Sequence, residues 1–416
     1  MRFVRAAVPP LVREDVEFRR FFAGQSVSLI GDQVSFIALP LVGVIVLHAT
    51  PAQMGYLTAS GLVPNLLFSL HAGAWVDRSG RRRHTMLAAD LGRAALLATI
   101  PIAYELDGLT LAQLYVVGFL VGTLSVFFYV SYSSLFVSLV PREHYVEASS
   151  LLNGSRALSF VGGPSLGGLL VQAISAPVAI AADAVSFLAS ALALSRISPA
   201  EAPTEEPERG HVAGGIRYLL ASRVLRAALG ATTTINFFNF MLFAIVILYA
   251  NRVLGVGPGL LGLVLGAASV GGVLGSVVTG RIVRHLGVGR AFALGCVLFP
   301  APLLLIPLAA GPRWVVLGCL FASEFGSGFG VMLLDIAAGA ISAALVPDRL
   351  RARVSGAYMV VNYGVRPIGA LLGGALGGAI GLRPTLWIAT AGGVLGVLWL
   401  LPSPVLALRE LPDAGL

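Results

Sequence analysis

Eight ionisable side chains, Asp32, Asp90, Arg93, Arg156, Asp183, Glu324, Asp335 and Arg366, interrupt long apolar stretches of this sequence. If those stretches cross a bilayer, each charge costs about 2.5 to 3.5 kcal/mol at a helix centre, so such residues face water, a partner or a ligand. Asp32 belongs to a stripe of Gln25, Ser28, Asp32 and Ser35 whose spacing puts all four on one helix face. Arg366 extends a face with Tyr358 and Asn362, and Arg156 one with Ser149 and Asn153. Faces of this kind line a central cavity. Burial favours the protonated form of a carboxyl group and a neighbouring arginine the ionised form, so a motion that alters either term couples protonation to conformation. Asp32 and Glu324, both near mid-span, are the candidates for that chemistry, with Arg366 or Arg156 as counter-charges; a fixed ion pair joining helices is the alternative. Asp90 and Arg93, three apart near a helix end, read as a local structural pair. Asp183 reads as a packing or gating residue. Phe127, Phe128, Tyr129, Tyr132, Phe237, Phe238 and Phe240 could supply an apolar binding wall, although at helical spacing most such rings touch lipid or core.

The composition supports the bilayer. Hydrophobic residues make up 57% of the 416 residues and charged ones 12%, and the mean hydropathy is +0.88. Soluble domains carry about 25% charged residues, whereas a membrane about 30 Å thick asks for helices of about 20 apolar residues. Candidate spans fall at 21–48, 54–76, 84–105, 110–138, 145–174 and 176–197, and again at 223–251, 258–283, 288–309, 313–341, 351–380 and 383–407. The runs are too long for barrel strands and lack apolar/polar alternation, and the first is full length with no cleavable leader pattern. The expected class is therefore an all-α membrane protein with twelve transmembrane helices.

All 28 basic residues are arginines, and their partition sets the orientation. With the N-terminus inside, only Arg252, Arg313 and Arg383 fall in outside loops, so both termini are expected in the cytoplasm of an inner membrane. The net charge of +8 is then spread along one membrane face toward anionic lipid, which leaves no nucleic-acid patch. Cys296 and Cys319 suggest neither a disulfide nor a metal site, and the six histidines show no ligand spacing. The glycine-rich stretch 262–276 lies at membrane depth, where small residues let helices pack closely.

The acidic, proline-rich segment 198–211 is the only long polar insert and reads as a linker. It divides the chain into a six-helix bundle at 1–197, a cytoplasmic linker at 198–222 and a second bundle at 223–416. The halves repeat. A shift of 206 positions carries Gly163, Gly167 and Gly168 onto Gly369, Gly373 and Gly374, and a shift of 207 carries Gly73 and Gly80 onto Gly280 and Gly287. The second shift also puts Asn239, in a stripe with Thr232 and Asn236, opposite Asp32, and Arg284 opposite Asp77. The fold expected is thus two pseudo-symmetric bundles.

Between spans two and three stand Gly73, Asp77, Arg78, Gly80, Arg81 and Arg82, a G-x-x-x-D-R-x-G-R-R pattern that resembles the signature loop of the major facilitator superfamily. Twelve spans in two sixes extend that resemblance over essentially the whole chain. Segments 28–40, 153–168, 182–194 and 217–229 are similar to the drug:proton antiporter branch that includes macrolide-efflux proteins and the enterobactin exporter. Gly163, Pro164, Gly167 and Gly168 resemble the G-P-x-x-G-G element associated with exporters. Span four, however, lacks the arginine-bearing motif that many proton-coupled drug exporters carry there. The resemblance implies that Asp77 braces one bundle against span eleven as a gate, while the arginines beside it also anchor topology. It further implies proton-driven export of a bulky amphipathic compound of drug or macrolide type by alternating access. The energy source would be the proton gradient with no bound cofactor, the partners substrate, protons and lipid, and a monomer would suffice. A siderophore or lysophospholipid carrier stays open within the same class. A membrane-embedded enzyme or a non-transporting sensor is the alternative of another class, with no nucleophile-base or metal cluster to support it.

Overall fold

The computed structural model describes residues 10–199 and 212–409. Of the expected linker at 198–222, residues 200–211 lie outside the described residues, and Val212–Ala221 is a short helix. Twelve long helical segments follow one another, with no strand among the described residues. In the first half they are α1 (Val16–Leu41, continued as one π turn to Val46), α2 (Pro51–Ser79), α3 (Arg82–Glu105), α4 (Leu111–Leu139), α5 (Tyr145–Ala173) and α6 (Ala176–Ser195). The second half holds α7 (Arg223–Arg252), α8 (Pro258–Leu286), α9 (Val288–Leu298, extended by short turns to Leu308), α10 (Arg313–Leu345), α11 (Asp348–Ala379) and α12 (Leu382–Val394, extended as a 3-10 turn to Leu400).

Local chemistry explains the ends. Asp15 caps α1 by accepting from the Glu17 and Phe18 amides at 2.8 and 2.9 Å, and Thr110, Ser175 and Ser222 cap α4, α6 and α7 in the same way. Pro258 opens α8 in the first turn, where a missing N–H costs nothing. Gly80 and Gly287 end α2 and α8 at φ +62° and +83°, a left-handed conformation that favours glycine. These are repeat mates, so the halves share their stop signal as well as their spans.

Eight of the helical segments are long and apolar enough to cross a membrane by composition alone. The repeat mates α5 and α11 are not among them, because each carries a polar face: Ser149, Asn153 and Arg156 on one, Tyr358, Asn362 and Arg366 on the other. α2 and α12 are the other two.

The chain divides into two compact units, Met1–Leu47 with Val63–Glu208, and His48–Leu62 with Arg209–Leu416. The beginning of α2 thus groups with the second unit. The reason is close backbone approach, since a Cβ on Gly55 would lie 2.8 Å from the Ala370 carbonyl and 3.0 Å from Gly374 Cα. Phe18, Phe21, Met86, Phe128, Leu135 and Leu194 belong to the core of the first unit, and Leu225, Ile235, Phe292, Cys296, Leu334 and Leu400 to that of the second.

Glycine governs the tightest helix contacts in both. Gly163 and Gly167 hold α5 against α1, their Cβ positions falling 2.4 Å from Gln33 Cβ and 3.0 Å from Val34 Cα. Their repeat mates Gly369 and Gly373 hold α11 against α7, each 2.2 Å from a carbonyl, of Phe237 and Met241. Gly271 and Gly275 on α8 meet the backbone of α10 at Phe325 and Phe329, and Gly328 meets Ala268 in return, so the glycine-rich stretch of span eight is a packing face.

Candidate functional site

A cavity of about 270 Å³ opens within the first unit, lined by the α1 stripe Gln25, Ser28 and Asp32, by the α5 face Ser149, Asn153 and Arg156, and by Phe128, Tyr129, Tyr132, Ser133 and Phe136 of α4. Nine of the residues singled out from sequence thus meet in one place, Asp32, Asn153 and Arg156 among them. Aromatic rings and charged groups line it together, a mixture suited to an amphipathic guest. Asn153 and Arg156 are exposed into the opening, while Asp32 is half-buried. Helices α1 and α5 are tied beside the cavity by Ser155 Oγ donating to Ser26 Oγ at 2.7 Å. Phe127 turns away from this wall and packs edge-on to Trp75, with ring centroids 5.5 Å apart.

Behind the cavity lies a second layer of polar groups. Arg93 of α3 donates to the Asp90 carboxylate and to Ser125 Oγ of α4. Its guanidinium sits between the rings of Phe128 and Phe187, at 4.3 and 4.1 Å from their centroids. Both members of the pair are 1% exposed or less. Sequence spacing identified the pair but not the two phenylalanines, which come from α4 and α6 and share no local pattern with Arg93. Asp183 of α6 is equally buried and accepts from Ser186 Oγ at 3.0 Å.

The second unit carries a separate network. Arg366 Nε donates to Asn236 Oδ1 at 3.1 Å, and Asn236 Nδ2 donates to Asn362 Oδ1 at 3.2 Å. Tyr358 donates to Thr232 Oγ1 at 3.0 Å, so the polar faces read from α7 and α11 meet each other. Arg366 lies over Tyr363 at 3.8 Å and over Phe240 at 4.9 Å. Asn239 is not in this network: it borders a small apolar crevice with Phe238, Phe299, Pro300 and Thr390. Glu324, half-buried on α10, makes no ion pair or hydrogen bond among those found for the described residues. Neither is among the residues that line the first-unit cavity with Asp32.

In the loop motif, Arg78 and Arg81 are exposed and Gly80 supplies the turn. Gly73 has open space around it, and Pro164 is buried inside α5. The side chain of Asp77 lies outside the described residues, so its bracing role stays an expectation. The loop holds one function that spacing did not reveal. Arg83 Nε and Nη2 donate to the carbonyls of Leu194 and Ser195 at 2.8 and 2.7 Å, and Arg20 Nη1 to that of Arg196 at 2.6 Å. Two cations thereby satisfy the carbonyls at the end of α6 and complement its dipole. Arg83→Gln removes these charge-assisted bonds and is expected to lower stability by about 1 to 3 kcal/mol; thermal unfolding in detergent checks it, and an unchanged midpoint would contradict the capping role.

Comparison with known proteins places these features in a family. The profile of the Major Facilitator Superfamily matches residues 21–366 and again 229–415. The chain is 26% identical to the multidrug efflux pump Tap of Mycolicibacterium fortuitum over 85% of its length and 88% of that protein's. It is also 26% identical to the uncharacterized MFS-type transporter YfiS of Bacillus subtilis (strain 168), over 90% and 89%. Among solved structures, a mutant form of nucleoside transporter NupG superposes with a TM-score of 0.75 at 10% identity, covering 92% of this chain and 98% of that one. A bacterial homologue of the iron transporter ferroportin gives 0.70 at 17%, covering 92% and 97%. Twelve helices in two glycine-matched halves, a signature loop closed by Gly80 and a profile match along almost the whole length converge: the chain belongs to the Major Facilitator Superfamily and is an integral membrane transporter, not an enzyme.

Proposed function

We propose that this transporter exports a bulky amphipathic small molecule, of drug or macrolide type, by proton antiport. The observation that carries this reading is the first-unit cavity, where the Asp32 carboxyl and the Arg156 guanidinium share a wall with Phe128, Tyr129, Tyr132 and Phe136. Aromatic faces hold an apolar body without demanding one shape, while a carboxyl group that can gain or lose a proton supplies the coupling. Relatives that carry the name multidrug efflux pump support export of such compounds. The two-unit architecture supports alternating access, with the units exchanging which side of the membrane the site faces. The arginine partition supports an inner-membrane location with both termini cytoplasmic, and the presence of both halves in one chain supports a functional monomer.

The test uses proteoliposomes loaded with a pH-sensitive dye and challenged with macrolides, tetracyclines, cationic dyes, siderophores and lysophospholipids. A drug-type compound is expected to trigger proton movement that empty liposomes do not show. Radiolabelled uptake without proton movement would overturn the antiport, and a response confined to lysophospholipid or siderophore would overturn the substrate class.

A further inference from the structure

Asp183 has no place in the cavity just described, yet its surroundings are specific. It sits on α6 facing α1 at Gly31, the residue preceding Asp32. Gly31 leaves the gap the carboxyl needs: a Cβ there would fall 2.5 Å from Asp183 Oδ1 and 2.0 Å from Ser186 Oγ. The Asp183 carboxyl is 1% exposed and accepts a hydrogen bond from Ser186 of its own helix, with the Ser35 hydroxyl of α1 also turned to it. No ion pair within 4 Å neutralises it among the described residues.

The charged and titratable groups around it come from three neighbouring helices. Asp32 faces it from α1, Arg93 from α3 and Tyr129 from α4, and Asp90 joins the same field through Asp32. The one buried cation among these is already engaged by Asp90. Even that pair is incompletely satisfied, because Asp90 Oδ2 and Arg93 Nε are buried with no hydrogen-bond partner. Asp32 and Asp183 are therefore neighbouring carboxyls beside one buried cation that Asp90 already engages, and the only other cation near Asp32, Arg156 on the cavity wall, is exposed to water. Two such groups in a medium of low dielectric do not both stay ionised, and a shared proton is the simplest neutralising species.

We propose that Asp183 is a second proton-holding residue, deep between α1 and α6, which exchanges its proton with the cavity through Asp32. The proton enters from cavity water onto the Asp32 carboxylate and passes to the Asp183 carboxylate, leaving Asp32 ionised again; the release path is the reverse. Substrate occupying the cavity beside Asp32 then controls that exit. This assignment rests on the antiport reading above, but it makes a separate claim about where the proton resides.

The experiment compares wild type and Asp183→Asn in the same proteoliposomes, using a compound that drives proton movement in wild type. Asp183→Asn is expected to reduce that movement at least about tenfold, while counterflow exchange of substrate, which requires no net proton transfer, persists. Undiminished proton movement in Asp183→Asn overturns the proposal and leaves the antiport standing. Absence of substrate-driven proton movement in wild type overturns the antiport instead. The proton's residence is then decided separately by infrared spectroscopy of wild type, in which the carbonyl stretch of a protonated, buried carboxyl is expected near neutral pH and its absence overturns the assignment. Should Asp183→Asn fail to fold, Asp183→Glu keeps a carboxyl there and is expected to shift that band, and a band left unmoved overturns the assignment.

Discussion

Arg93→Met is expected to be the most destabilising single substitution in the first unit, costing about 3 to 5 kcal/mol. Methionine fills most of the space between Phe128 and Phe187 and keeps the apolar contact, so lost packing is a minor part of the effect. The main loss is electrostatic. Asp90, fully buried, would keep a carboxylate with no cation, and Ser125 would lose the donor that ties α3 to α4. Two cation–π contacts of about 0.5 to 2 kcal/mol each also disappear. The double variant Asp90→Asn, Arg93→Met is expected to recover a large part of the stability, because removing both charges of a buried pair is far less costly than orphaning one. Thermal unfolding of the three proteins in detergent checks this; a double variant no more stable than Arg93→Met would show that the unpaired Asp90 charge is not the source of the loss.

This pair marks where sequence reasoning reaches its limit. The spacing of Asp90 and Arg93 puts them on one helix face, and that much was legible. What surrounds them was not, since Phe128 and Phe187 lie 35 and 94 positions downstream and meet the arginine only through the packing of three helices. The same division runs through the molecule. Span number and approximate ends follow from hydropathy and turn residues, because the bilayer imposes a single length scale on every helix. The repeat follows from glycines at fixed spacing, because close helix contacts exclude other residues at those positions. Polar stripes identify which faces meet water or one another, and the faces of α1 and α5 do meet around a cavity, as those of α7 and α11 meet in the Arg366 network.

Which stripe residue joins which network was not readable. Asn239 occupies the repeat position of Asp32 but borders an apolar crevice, while Asn236, one helical turn away, takes the central place beside Arg366. A residue's repeat position fixes its depth and face only to within about a turn, so side-chain pairings escape it. Asp183 was harder still. Its partner surface is a glycine, which carries no chemical signature, and the clue was only that Gly31 directly precedes an aspartate on a polar face.

Asp32→Asn is expected to abolish gradient-driven accumulation of substrate, lowering it at least about tenfold, while protein abundance in the membrane stays near wild type. The asparagine keeps the shape of the acid and its place on the cavity wall beside Gln25 and Ser28, so the aromatic lining and the α1–α5 contact through Ser26 and Ser155 are preserved. It cannot release a proton. Coupling therefore fails even where a guest still enters the cavity, and substrate movement should become insensitive to an imposed pH difference. The matched control is Asp107→Asn, at the exposed turn between α3 and α4. Asp107 has φ +52°, a conformation asparagine tolerates as well as aspartate does. It changes the same chemical group at a site remote from the cavity and should leave accumulation intact. Radiolabelled uptake into proteoliposomes with and without a pH gradient reads both variants. Wild-type accumulation by Asp32→Asn would remove this residue from the proton path and shift the coupling to the acids of the second unit, Glu324 and Asp335.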